Sequence, residues 1–593
     1  MIPLYEELLP GLNEAKESLS KVNSRFGLIR LFLFIACVAF IIAGFVRGNS
    51  IPLFIVGGVA FCIFVFVCVI HKKSKYMEAI LDEKIKADSR YISRGKGDYK
   101  DIVFDGSEYI NHSHDFSSDL DVFGPHSLFA LYNISHSVFG CKSFADKLKL
   151  KDISKLTKQS IINDQKIVED FTNDPEFLLD YEAVAAHHSI TKMPEALLTL
   201  CLRNEKLKSG YKWLYRLIPL IWLAPLVVLF LGYASYVRIA VLVVILINLI
   251  IWFCISRLDL SDIFKAGMIS KQAEAIKVRV ELLLSDEKRR ETFVPSYLSE
   301  TFEDDINSLI KACSVCSLRE QPIFALLLNV GMPYDLMCAD RLFDWSVKHG
   351  KNFMDDVARL GDIESLMSAS VPGLIAKVSS FPTIREDKLA YFEGKEMTHP
   401  LLDPSKAVSN SVSIDSKSAL ITGSNMSGKT TLIRTVGIMM VLAYMGAKVP
   451  AEKVECSIMR IMTSMRIADS LEENMSTFKA ELIRIGSIVE ASSKEVPMMF
   501  LIDEVFRGTN SQDRTDGAEI LLKKLNKPYI SGFMTTHDYA LCDRAAETKD
   551  ENIVFFHFSE HYEGDEVIFD YKLRSGQSHE SNAMFLMRLV GIE

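Results

Sequence analysis

One segment in the C-terminal third of the chain combines glycines, a lysine and hydroxyl groups at a spacing that suits phosphate chemistry. It is Gly423-Ser-Asn-Met-Ser-Gly428-Lys429-Thr430, with the pattern G-x-x-x-x-G-K-[ST], and it follows the apolar run Ala419-Leu-Ile-Thr422. In such a loop the glycines let backbone N–H groups wrap a phosphate, and the N-terminus of the next helix adds positive potential. The sequence therefore predicts a strand, a phosphate-binding loop and a helix, in that order.

The side chains of this loop have distinct predicted roles. We expect Lys429 to reach the β- and γ-phosphates of a nucleotide and the Thr430 hydroxyl to coordinate Mg²⁺. The implied cofactors are ATP and Mg²⁺. The predicted nucleotide-binding residues are Gly423, Ser424, Asn425, Met426, Ser427, Gly428, Lys429, Thr430 and Thr431.

A second apolar run, Met498-Met-Phe-Leu-Ile, ends in the acidic pair Asp503-Glu504. The structural alternative is an acidic pair that merely ends a strand. Downstream of a phosphate-binding loop, however, the pattern favours a nucleotide hydrolase. A buried strand would deliver Asp503 to the Mg²⁺ shell beside Thr430, and Glu504 would orient and polarise the attacking water.

A third apolar run, Tyr529–Thr535, is followed by Thr536-His537. A histidine at the end of a core strand, after the acidic pair, is placed to sense the γ-phosphate, although a lone histidine is more often structural. We therefore predict Glu504, His537 and Lys429 as the catalytic residues.

Bulk composition sets wider limits. The chain has 593 residues, so it is expected to form several domains. It is 49% hydrophobic, with a mean hydropathy of +0.16, and its formal net charge is −9. An acidic balance offers no whole-chain support for nucleic-acid binding, although a local basic groove remains compatible with it.

The eleven cysteines are scattered along the chain, and the only close pair is Cys313-x-x-Cys316. A zinc ribbon needs a second pair or histidine partners, and a redox pair usually lies beside a βαβ unit. Neither context is evident in the sequence. We expect two ordinary thiols on a helix face, in a reducing compartment.

Four apolar runs form two pairs, each pair separated by a short polar break. Each run is near the length of about 20 residues that a helix needs to cross a bilayer, and none contains an acidic residue. Two transmembrane helical hairpins are the favoured interpretation, and two pairs of buried core helices are the alternative. A cleaved signal peptide is disfavoured because a second span follows the first at once. The runs are Leu31–Val46, Ile51–Ile70, Leu217–Tyr233 and Ile239–Ile255.

An even number of spans places every large soluble segment on one side of the membrane. Basic residues flank the long segments, whereas each hairpin loop holds a single arginine, so the positive-inside rule predicts a cytoplasmic location for the soluble mass. We therefore expect an integral membrane protein with four transmembrane helices and a cytoplasmic ATPase domain. Tryptophans near the ends of the second hairpin suit interfacial anchors: Trp213, Trp222 and Trp252.

The expected fold is an α/β P-loop ATPase domain of the ABC type at the C-terminus, preceded by a helical core and lever domain that the hairpins interrupt. The helical part should break near Gly331-Met-Pro333, and strands should begin near Leu389–Glu393 and Ala407–Ile414. The predicted divisions are an N-terminal cytosolic segment (1–27), the first hairpin (28–71), the first part of the helical core (76–210), the second hairpin (214–256), the lever and second part of the core (258–375) and the ATPase domain (376–593).

These motifs resemble those of the MutS family, the ATPases of DNA mismatch repair. Thr422-Gly-Ser-Asn425-Met426-Ser-Gly-Lys-Thr430 is similar to the family's T-G-x-N-M-x-G-K-[ST], which is more specific than a generic phosphate loop. Ser476-Thr477-Phe478-x-x-Glu481 resembles its S-T-F-x-x-E signature, and Asp503-Glu504-x-x-Arg507-Gly508-Thr509 its D-E-x-x-[RA]-G-T. The resemblance implies a homodimer through the ATPase domains, in which Ser476 binds the nucleotide in trans.

Further similarities extend upstream and to the C-terminus. They are Leu120-Asp121 with Ser127-Leu128-x-x-Leu131-x-Asn133, the lead-in pairs Phe381-Pro382 and His399-Pro400, Thr536-His537, and Gly576-x-x-x-x-Ser581. The chain departs from the family pattern before the first apolar run, where only about thirty residues are present. We therefore expect no mismatch-reading domain, and mismatch recognition is not carried over.

The sequence leaves the biological role open between hypotheses. In the first, the dimer clamps DNA near the membrane, which requires a basic groove and a steep salt dependence. In the second, ATP drives the remodelling of a membrane or a protein partner without DNA. Solute transport is the weakest, because two short hairpins supply few intramembrane polar groups.

Overall fold

The computed structural model describes residues 2–98, 104–255, 260–386, 389–424, 426–465, 477–506, 510–547, 550–563 and 566–577. The chain divides into two compact units. The first unit contains residues 1–134, 143–179 and 365–593, and the second contains residues 135–142 and 180–364.

The first unit begins with a long helical hairpin, α1 (Ile2–Val46) and α2 (Ile51–Gly95). Each helix has 45 residues, so each is about 67 Å long. The two predicted apolar runs form only the distal end of this hairpin. Nearer its base, polar side chains pair between the helices, as in the 2.6 Å hydrogen bond from Asn23 Nδ2 to Glu78 Oε2. The hairpin is therefore apolar at its tip and polar at its base.

Short helices follow, and local capping explains where two of them begin. Ser127 caps its helix by accepting a hydrogen bond from the Ala130 N–H, and Thr157 forms a reciprocal capping box with Ser160. The helices are α3 (Leu128–Tyr132), α4 (Val138–Leu148), α5 (Lys158–Thr172), α6 (Pro175–His187) and α7 (Glu195–Cys201), with 3₁₀ turns at Ser107–Tyr109 and Ile153–Lys155.

The second unit contains the second hairpin and a set of packed helices, of which the longest continues into the first unit from residue 365. The first apolar run of this hairpin is not one regular helix, because Pro219 falls in a 3₁₀ segment, Ile218–Trp222, where its missing N–H breaks the α-helical pattern. The helices are α8 (Ser209–Leu217), α9 (Leu223–Phe230), α10 (Val237–Ile255), α11 (Ser261–Phe264), α12 (Ala266–Leu283), α13 (Glu287–Phe293), α14 (Phe302–Ser317), α15 (Pro322–Gly331) and α16 (Tyr334–Ile375), with 3₁₀ turns at Ala234–Tyr236 and Leu318–Glu320.

A buried ionic cluster lies inside the second unit. Arg279 Nε lies 3.2 Å from Glu364 Oε1, and both side chains are almost fully buried. Tyr181 and Ser135 donate further hydrogen bonds to the same carboxylate, at 2.9 and 2.6 Å. Burial and the neighbouring carboxylate raise the pKa of Tyr181 above its ordinary value. Removal of either Arg279 or Glu364 would leave a buried charge without its counterion, which is strongly destabilising.

By length and composition, four helical segments of the described chain could cross a membrane: Ile2–Val46, Ile51–Gly95, Ser209–Phe230 and Ala234–Ile255. They contain three of the four predicted apolar runs and overlap the other, Leu217–Tyr233, up to Phe230. The predicted break near Gly331-Met-Pro333 is also present, since α15 and α16 meet there at an angle of 96°. Cys313 and Cys316 both lie buried on α14.

The C-terminal part of the first unit is an α/β domain, as predicted. Its strands are β1 (Thr383–Arg385), β2 (Tyr391–Met397), β3 (Asn410–Asp415), β4 (Ser418–Thr422), β5 (Lys453–Ser457), β6 (Arg460–Ser464), β7 (Met498–Asp503), β8 (Ile530–Thr535), β9 (Ile553–Glu563) and β10 (Glu566–Ser575). Its helices are α17 (Lys429–Tyr444), α18 (Thr477–Ser492), α19 (Ser511–Leu525) and α20 (Tyr539–Glu547).

Two sheets organise this domain. The larger has the order β10-β9-β4-β8-β7-β6, in which β10 alone is antiparallel to its neighbour, and the smaller has the order β1-β5-β2-β3. Strands β4, β7 and β8 are buried along their whole length, as expected for the centre of a parallel sheet. Their carboxyl ends lie at one edge, where α/β proteins place ligands.

Candidate nucleotide site

The predicted phosphate-binding loop connects β4 to α17, as the sequence indicated. Gly423 has φ +148° and Gly428 has φ +107°, conformations that L-residues rarely adopt. A Cβ at Gly423 would also lie 2.9 Å from Ser427 Oγ. Both glycines are therefore required by the path of the loop.

The Lys429 side chain folds back into this loop. Its Nζ donates hydrogen bonds of 2.8 Å to the carbonyl oxygens of Gly423 and Ser424, and it lies 3.3 Å from His537 Nε2. The lysine is almost fully buried. Its ammonium group is thus held at the centre of the loop, where a nucleotide phosphate would meet it.

Thr430, at the start of α17, lies next to Asp503, at the end of β7. The Thr430 hydroxyl lies 3.0 Å from each carboxylate oxygen of Asp503. Thr535, at the end of β8, donates a 2.6 Å hydrogen bond to Asp503 Oδ1. A hydroxyl and a carboxylate are hard oxygen ligands of the kind that Mg²⁺ takes together with water and phosphate oxygens. These residues fit the predicted metal site.

Glu504 lies beside His537, and its backbone is strained. The distance between Glu504 Oε1 and His537 Nε2 is 2.5 Å. Glu504 has φ +51°, a conformation that costs a non-glycine residue about 1–2 kcal/mol. Two bonds hold its N–H, to the carbonyl and the hydroxyl of Thr535, at 3.3 and 3.2 Å. These two bonds hold the strained backbone in place, and Glu504 lines the cavity that contains the loop residues.

One hydroxyl of the loop has an unsatisfied hydrogen-bonding capacity. Ser427 Oγ is buried and has no hydrogen-bond partner within the described ranges. A buried polar group without a partner is costly, and a phosphate oxygen would satisfy it. Together with the cradle of Gly423 and Gly428, this orphaned hydroxyl supports the fit of a nucleotide phosphate.

A cavity of about 650 Å³ opens beside the loop. One wall contains the loop residues and Glu504. The other comes from the segment 397–410, between β2 and β3, and from β10. Sequence reasoning missed this second wall, apart from noting His399-Pro400 as a lead-in motif. The residues of the second wall are Met397, His399, Leu402, Asp403, Lys406, Val408, Asn410 and Tyr571.

His399 contributes an imidazole to that second wall, and the ring is neutral at pH 7. Burial, reinforced by the charge of Arg434, lowers the pKa of His399 to about 4. The Leu401 N–H donates to its Nδ1 at 3.3 Å, which requires the unprotonated form of that nitrogen. The ring therefore offers the cavity a neutral face.

Glu560 is a second residue that the motifs did not reveal. It lies on β9, is almost fully buried, and accepts a hydrogen bond from the Ser424 hydroxyl. Its carboxylate thus braces the phosphate-binding loop from the neighbouring strand. No local pattern marks it, because it lies 136 residues from its partner in the chain.

Two of the other predicted motifs also lie close to the site. Glu481, from the S-T-F-x-x-E signature, accepts a hydrogen bond from the Phe506 N–H just beyond Glu504. Asp121 Oδ2 lies 3.2 Å from Arg434 Nη1, on the helix that follows the phosphate-binding loop. The predicted Asn425, Ser476, Arg507, Gly508, Thr509 and Ser581 lie outside the described residues. Ser424, Met426 and Thr431 line the cavity, as expected for loop residues.

Comparison with known proteins gives matches to a single family. The family model described as MutS domain V matches residues 419–593. The chain is similar to the DNA mismatch repair protein MutS of Prochlorococcus marinus (strain MIT 9312), with 26% identity over 307 residues, 50% of this chain and 32% of that protein. The protein of the same name from Carboxydothermus hydrogenoformans is 25% identical over 333 residues, 54% of this chain and 37% of that protein.

A third relative, DNA mismatch repair protein MutS of Thermotoga maritima, is 28% identical over 253 residues, 41% of this chain and 30% of that protein. The chain thus spans about a third of the length of the curated relatives it matches. The resemblance drawn from the motifs is confirmed by these matches.

Proposed function

From the match of residues 419–593 to the family model described as MutS domain V, we propose that the protein is a membrane-anchored, Mg²⁺-dependent ATPase. It would bind and hydrolyse ATP at composite sites of a homodimer and couple turnover to the motion of its membrane hairpins. One observation carries the proposal. Lys429, Thr430, Asp503, Glu504 and His537 converge at the phosphate-binding loop, beside a cavity of about 650 Å³.

Each of these residues has a chemical task. Lys429 neutralises phosphate charge, and the loop N–H groups and Ser427 bind phosphate oxygens. Thr430 and Asp503 would hold Mg²⁺, which supplies charge neutralisation on the β- and γ-phosphates. Glu504 positions and deprotonates the attacking water. His537, bonded to Glu504 and next to Lys429, orients the carboxylate and links it to the γ-phosphate position.

The second wall of the cavity suits the rest of the nucleotide. Met397, Leu402 and Val408 offer apolar surface, and the Tyr571 ring offers a stacking face, as ligand pockets commonly do for a planar base. This wall is tied to the sheet, since Asn410 Nδ2 donates a 2.9 Å hydrogen bond to the Tyr571 carbonyl.

Membrane anchoring is supported by the surface of the hairpins. Large apolar side chains at the distal end of the first hairpin and along the second are exposed, Phe230 at 91% and Phe32 at 72%. Contiguous apolar surface of this extent is rare on soluble proteins and marks contact with a membrane or a partner. The flanking basic residues then favour a cytoplasmic ATPase domain, as the sequence predicted.

We infer a route from the nucleotide to the membrane inside the first unit. His399 and Leu402 line the nucleotide cavity, and they also line a second cavity of about 350 Å³ that reaches Arg94 and Gly95 at the base of α2. Gly97, just after α2, is in close contact with the same segment, since a Cβ there would lie 2.9 Å from Pro404 Cδ. A nucleotide that moves the segment 397–410 would therefore push on the base of the first hairpin, which acts as a lever.

The base of the hairpin is fixed on its other side as well. Arg94 is buried and its Nη2 donates a 2.7 Å hydrogen bond to the Asn133 carbonyl. Tyr5 and Tyr91 stack at 4.7 Å between the two helices. The two helices should thus respond as one body, which suits the transmission of a displacement rather than its absorption.

Two hypotheses describe the target of this motion. The proteins with similar sequences are named for DNA mismatch repair, which favours a clamp on DNA. The net charge of −9 and the apolar hairpins favour an ATP-driven remodelling of a membrane or a protein partner without DNA. Mismatch recognition is not part of either proposal.

Two experiments test the proposal. Mixing Ser476→Arg subunits with Lys429→Ala subunits should restore one intact composite site and roughly a quarter to a half of the ATPase activity per dimer, because each variant alone damages both sites. Mixtures that stay inactive, although both variants assemble, would contradict a site shared in trans.

The second experiment distinguishes a clamp on DNA from the remodelling of a membrane or a protein partner. DNA binding by the solubilised protein, measured across a salt series, should fall steeply with salt if a basic groove clamps DNA. The control is Lys429→Ala, which removes a charge at the nucleotide site and should leave a DNA groove unaffected in the absence of nucleotide. If the protein shows no salt-dependent binding of DNA, the remodelling of a membrane or a protein partner is the function that remains.

A further inference from the structure

Helix α15 in the second unit has an apolar face that no described residue covers. Ile323 is 73% exposed, Leu327 60% and Phe324 56%. No charged residue occurs between Glu320 and Asp335. From the sequence, this stretch is expected within the lever and second part of the helical core (258–375). We expect this apolar face to contact a membrane or a partner, because a contiguous exposed apolar surface marks such a contact.

The opposite side of α15 is attached to the second hairpin. It packs against α10, and Trp222, at the end of the 3₁₀ segment that precedes α9, donates a 2.7 Å hydrogen bond from Nε1 to the Gly331 carbonyl. The exposed face of α15 thus belongs to a helix that packs beside the hairpin, where Leu242 and Leu246 are also exposed. The two surfaces therefore meet the same surroundings.

Asn329 is the one polar side chain of α15, and it is turned towards protein partners. Asn329 is buried, and its Nδ2 donates to the Ala325 carbonyl at 2.9 Å and to Asp335 Oδ1 at 3.0 Å. The Asp335 N–H returns a 3.2 Å bond to Asn329 Oδ1. Because lipid offers no hydrogen bonds, a helix can face it only when its polar groups are satisfied internally.

The turn between α15 and α16 is secured in the same way. Arg319 forms a bidentate pair with Asp335, with N···O distances of 2.7 and 2.8 Å, and Trp252 Nε1 of α10 donates to the same carboxylate at 3.1 Å. The pair is almost fully buried. A buried charge that is paired and hydrogen-bonded on every side can lie near a bilayer without facing lipid.

We propose that α15 is a fifth, non-spanning membrane element, whose exposed face inserts among the lipid acyl chains beside the second hairpin. The proposal rests on the membrane anchoring proposed above. Its 10 residues give a length of about 15 Å, half of a hydrocarbon core of about 30 Å, so α15 enters one leaflet and does not cross. The 96° bend into α16 returns the chain to the aqueous side.

Neighbouring residues extend the same surface at its edge. Phe264 and Met268 are exposed, and the Arg319 guanidinium lies 3.9 Å from the centre of the Phe264 ring. Because Arg319 is almost fully buried and paired with Asp335, this edge presents the apolar side chains of Phe264 and Met268 to its surroundings.

The proposal is tested with single added cysteines and a charged, membrane-impermeant maleimide. Leu327→Cys measures the accessibility of α15 to the reagent, and Leu246→Cys that of the second hairpin. Lys351→Cys, at an exposed position of α16, gives the labelling rate in water. The protein is reconstituted in phosphatidylcholine–phosphatidylglycerol vesicles, and labelling of the unaltered chain, whose exposed thiols Cys62 and Cys254 lie in the predicted spans, is subtracted. Each variant must retain ATPase activity, and Ile323→Cys replaces Leu327→Cys if that variant does not fold.

Because the maleimide reacts with the thiolate in water, Leu327→Cys and Leu246→Cys should both label roughly tenfold or more slowly than Lys351→Cys. Rapid labelling of Leu327→Cys with a protected Leu246→Cys would overturn the proposal and leave the anchoring intact. Rapid labelling at both positions would overturn the anchoring itself. Protection of Leu327→Cys that disappears when excess lipid isolates single chains would assign this face to a second copy and also overturn the proposal.

Discussion

The hydroxyl of Thr430 lies 3.0 Å from both carboxylate oxygens of Asp503, and this contact joins the two halves of the nucleotide site. The residues come from separate strand–loop connections, 73 positions apart. Thr535 holds Asp503 independently, so the carboxylate keeps its position when Thr430 is altered. The contribution of the hydroxyl can therefore be measured alone.

Thr430→Ala should raise the Mg²⁺ concentration for half-maximal ATPase activity roughly tenfold or more, because one oxygen ligand is lost. Thr430→Ser keeps the hydroxyl and should remain within about threefold of the unaltered protein. The measurement is ATPase rate against Mg²⁺ at saturating ATP. An equal response of the two variants would show that the hydroxyl does not bind the metal.

Glu504→Gln should retain ATP binding and lose turnover by a factor of about 10² or more, the usual contribution of a general base. The amide preserves shape and removes the proton acceptor. Binding is measured with a fluorescent ATP analogue, and turnover by phosphate release in a single-turnover format. Hydrolysis at the unaltered rate would assign the base to another residue.

His537→Ala should lower kcat with a smaller effect on KM, since the 2.5 Å contact with Glu504 orients the catalytic carboxylate rather than the nucleotide as a whole. His537→Asn, which can still donate a hydrogen bond, should recover part of the loss. A purely structural histidine would instead change thermal stability and KM together, with no rescue by asparagine.

A wedge between the first hairpin and the nucleotide cavity tests their coupling. Gly97→Val would press on Pro404 and should raise the KM for ATP several-fold, although Gly97 does not line the nucleotide cavity. Gly48→Val is the matched control. Gly48 also has a positive φ, +70° against +77°, but a Cβ there meets nothing within 4 Å. Equal kinetics in the two variants would mean that the contact transmits nothing.

Asp88, on the polar part of α2, should make stability depend on pH. It is fully buried, both carboxylate oxygens lack a hydrogen-bond partner in the described part of the chain, and burial raises its pKa to about 6 against the opposing charge of Lys84. Because the folded pKa lies above the ordinary value of 3.8, the ionised form destabilises the fold above pH 6, and this penalty vanishes below pH 3.8.

Asp88→Asn should therefore stabilise the protein at pH 8, by about 3 kcal/mol at most, and the gain should disappear towards pH 4. Thermal unfolding in detergent across this pH range measures the effect. Asp82→Asn is the control on the same helix. A hydrogen bond from Lys16 lowers the pKa of Asp82, so its replacement should not stabilise the protein at pH 8. If both variants changed the stability in the same way with pH, the raised pKa of Asp88 would not be the cause.

Much of the nucleotide site could be predicted from the sequence, because its chemistry is encoded in contiguous patterns. Gly423–Thr431 and the run ending in Asp503-Glu504 need only a buried strand and a short loop to place their groups. The four apolar runs are equally local signals, since crossing a bilayer depends on length and hydropathy. The break before α16 followed from Gly331 and Pro333.

Other features were decided by the tertiary structure, because they depend on contacts between distant parts of the chain. Glu560 reaches Ser424 across 136 positions, and Tyr571 closes the cavity from an edge strand. The contact between Gly97 and Pro404 depends on where the hairpin packs, and no periodicity encodes it. Whether α15 is covered depends on its neighbours, because a short apolar helix has the same pattern in a core and at a membrane.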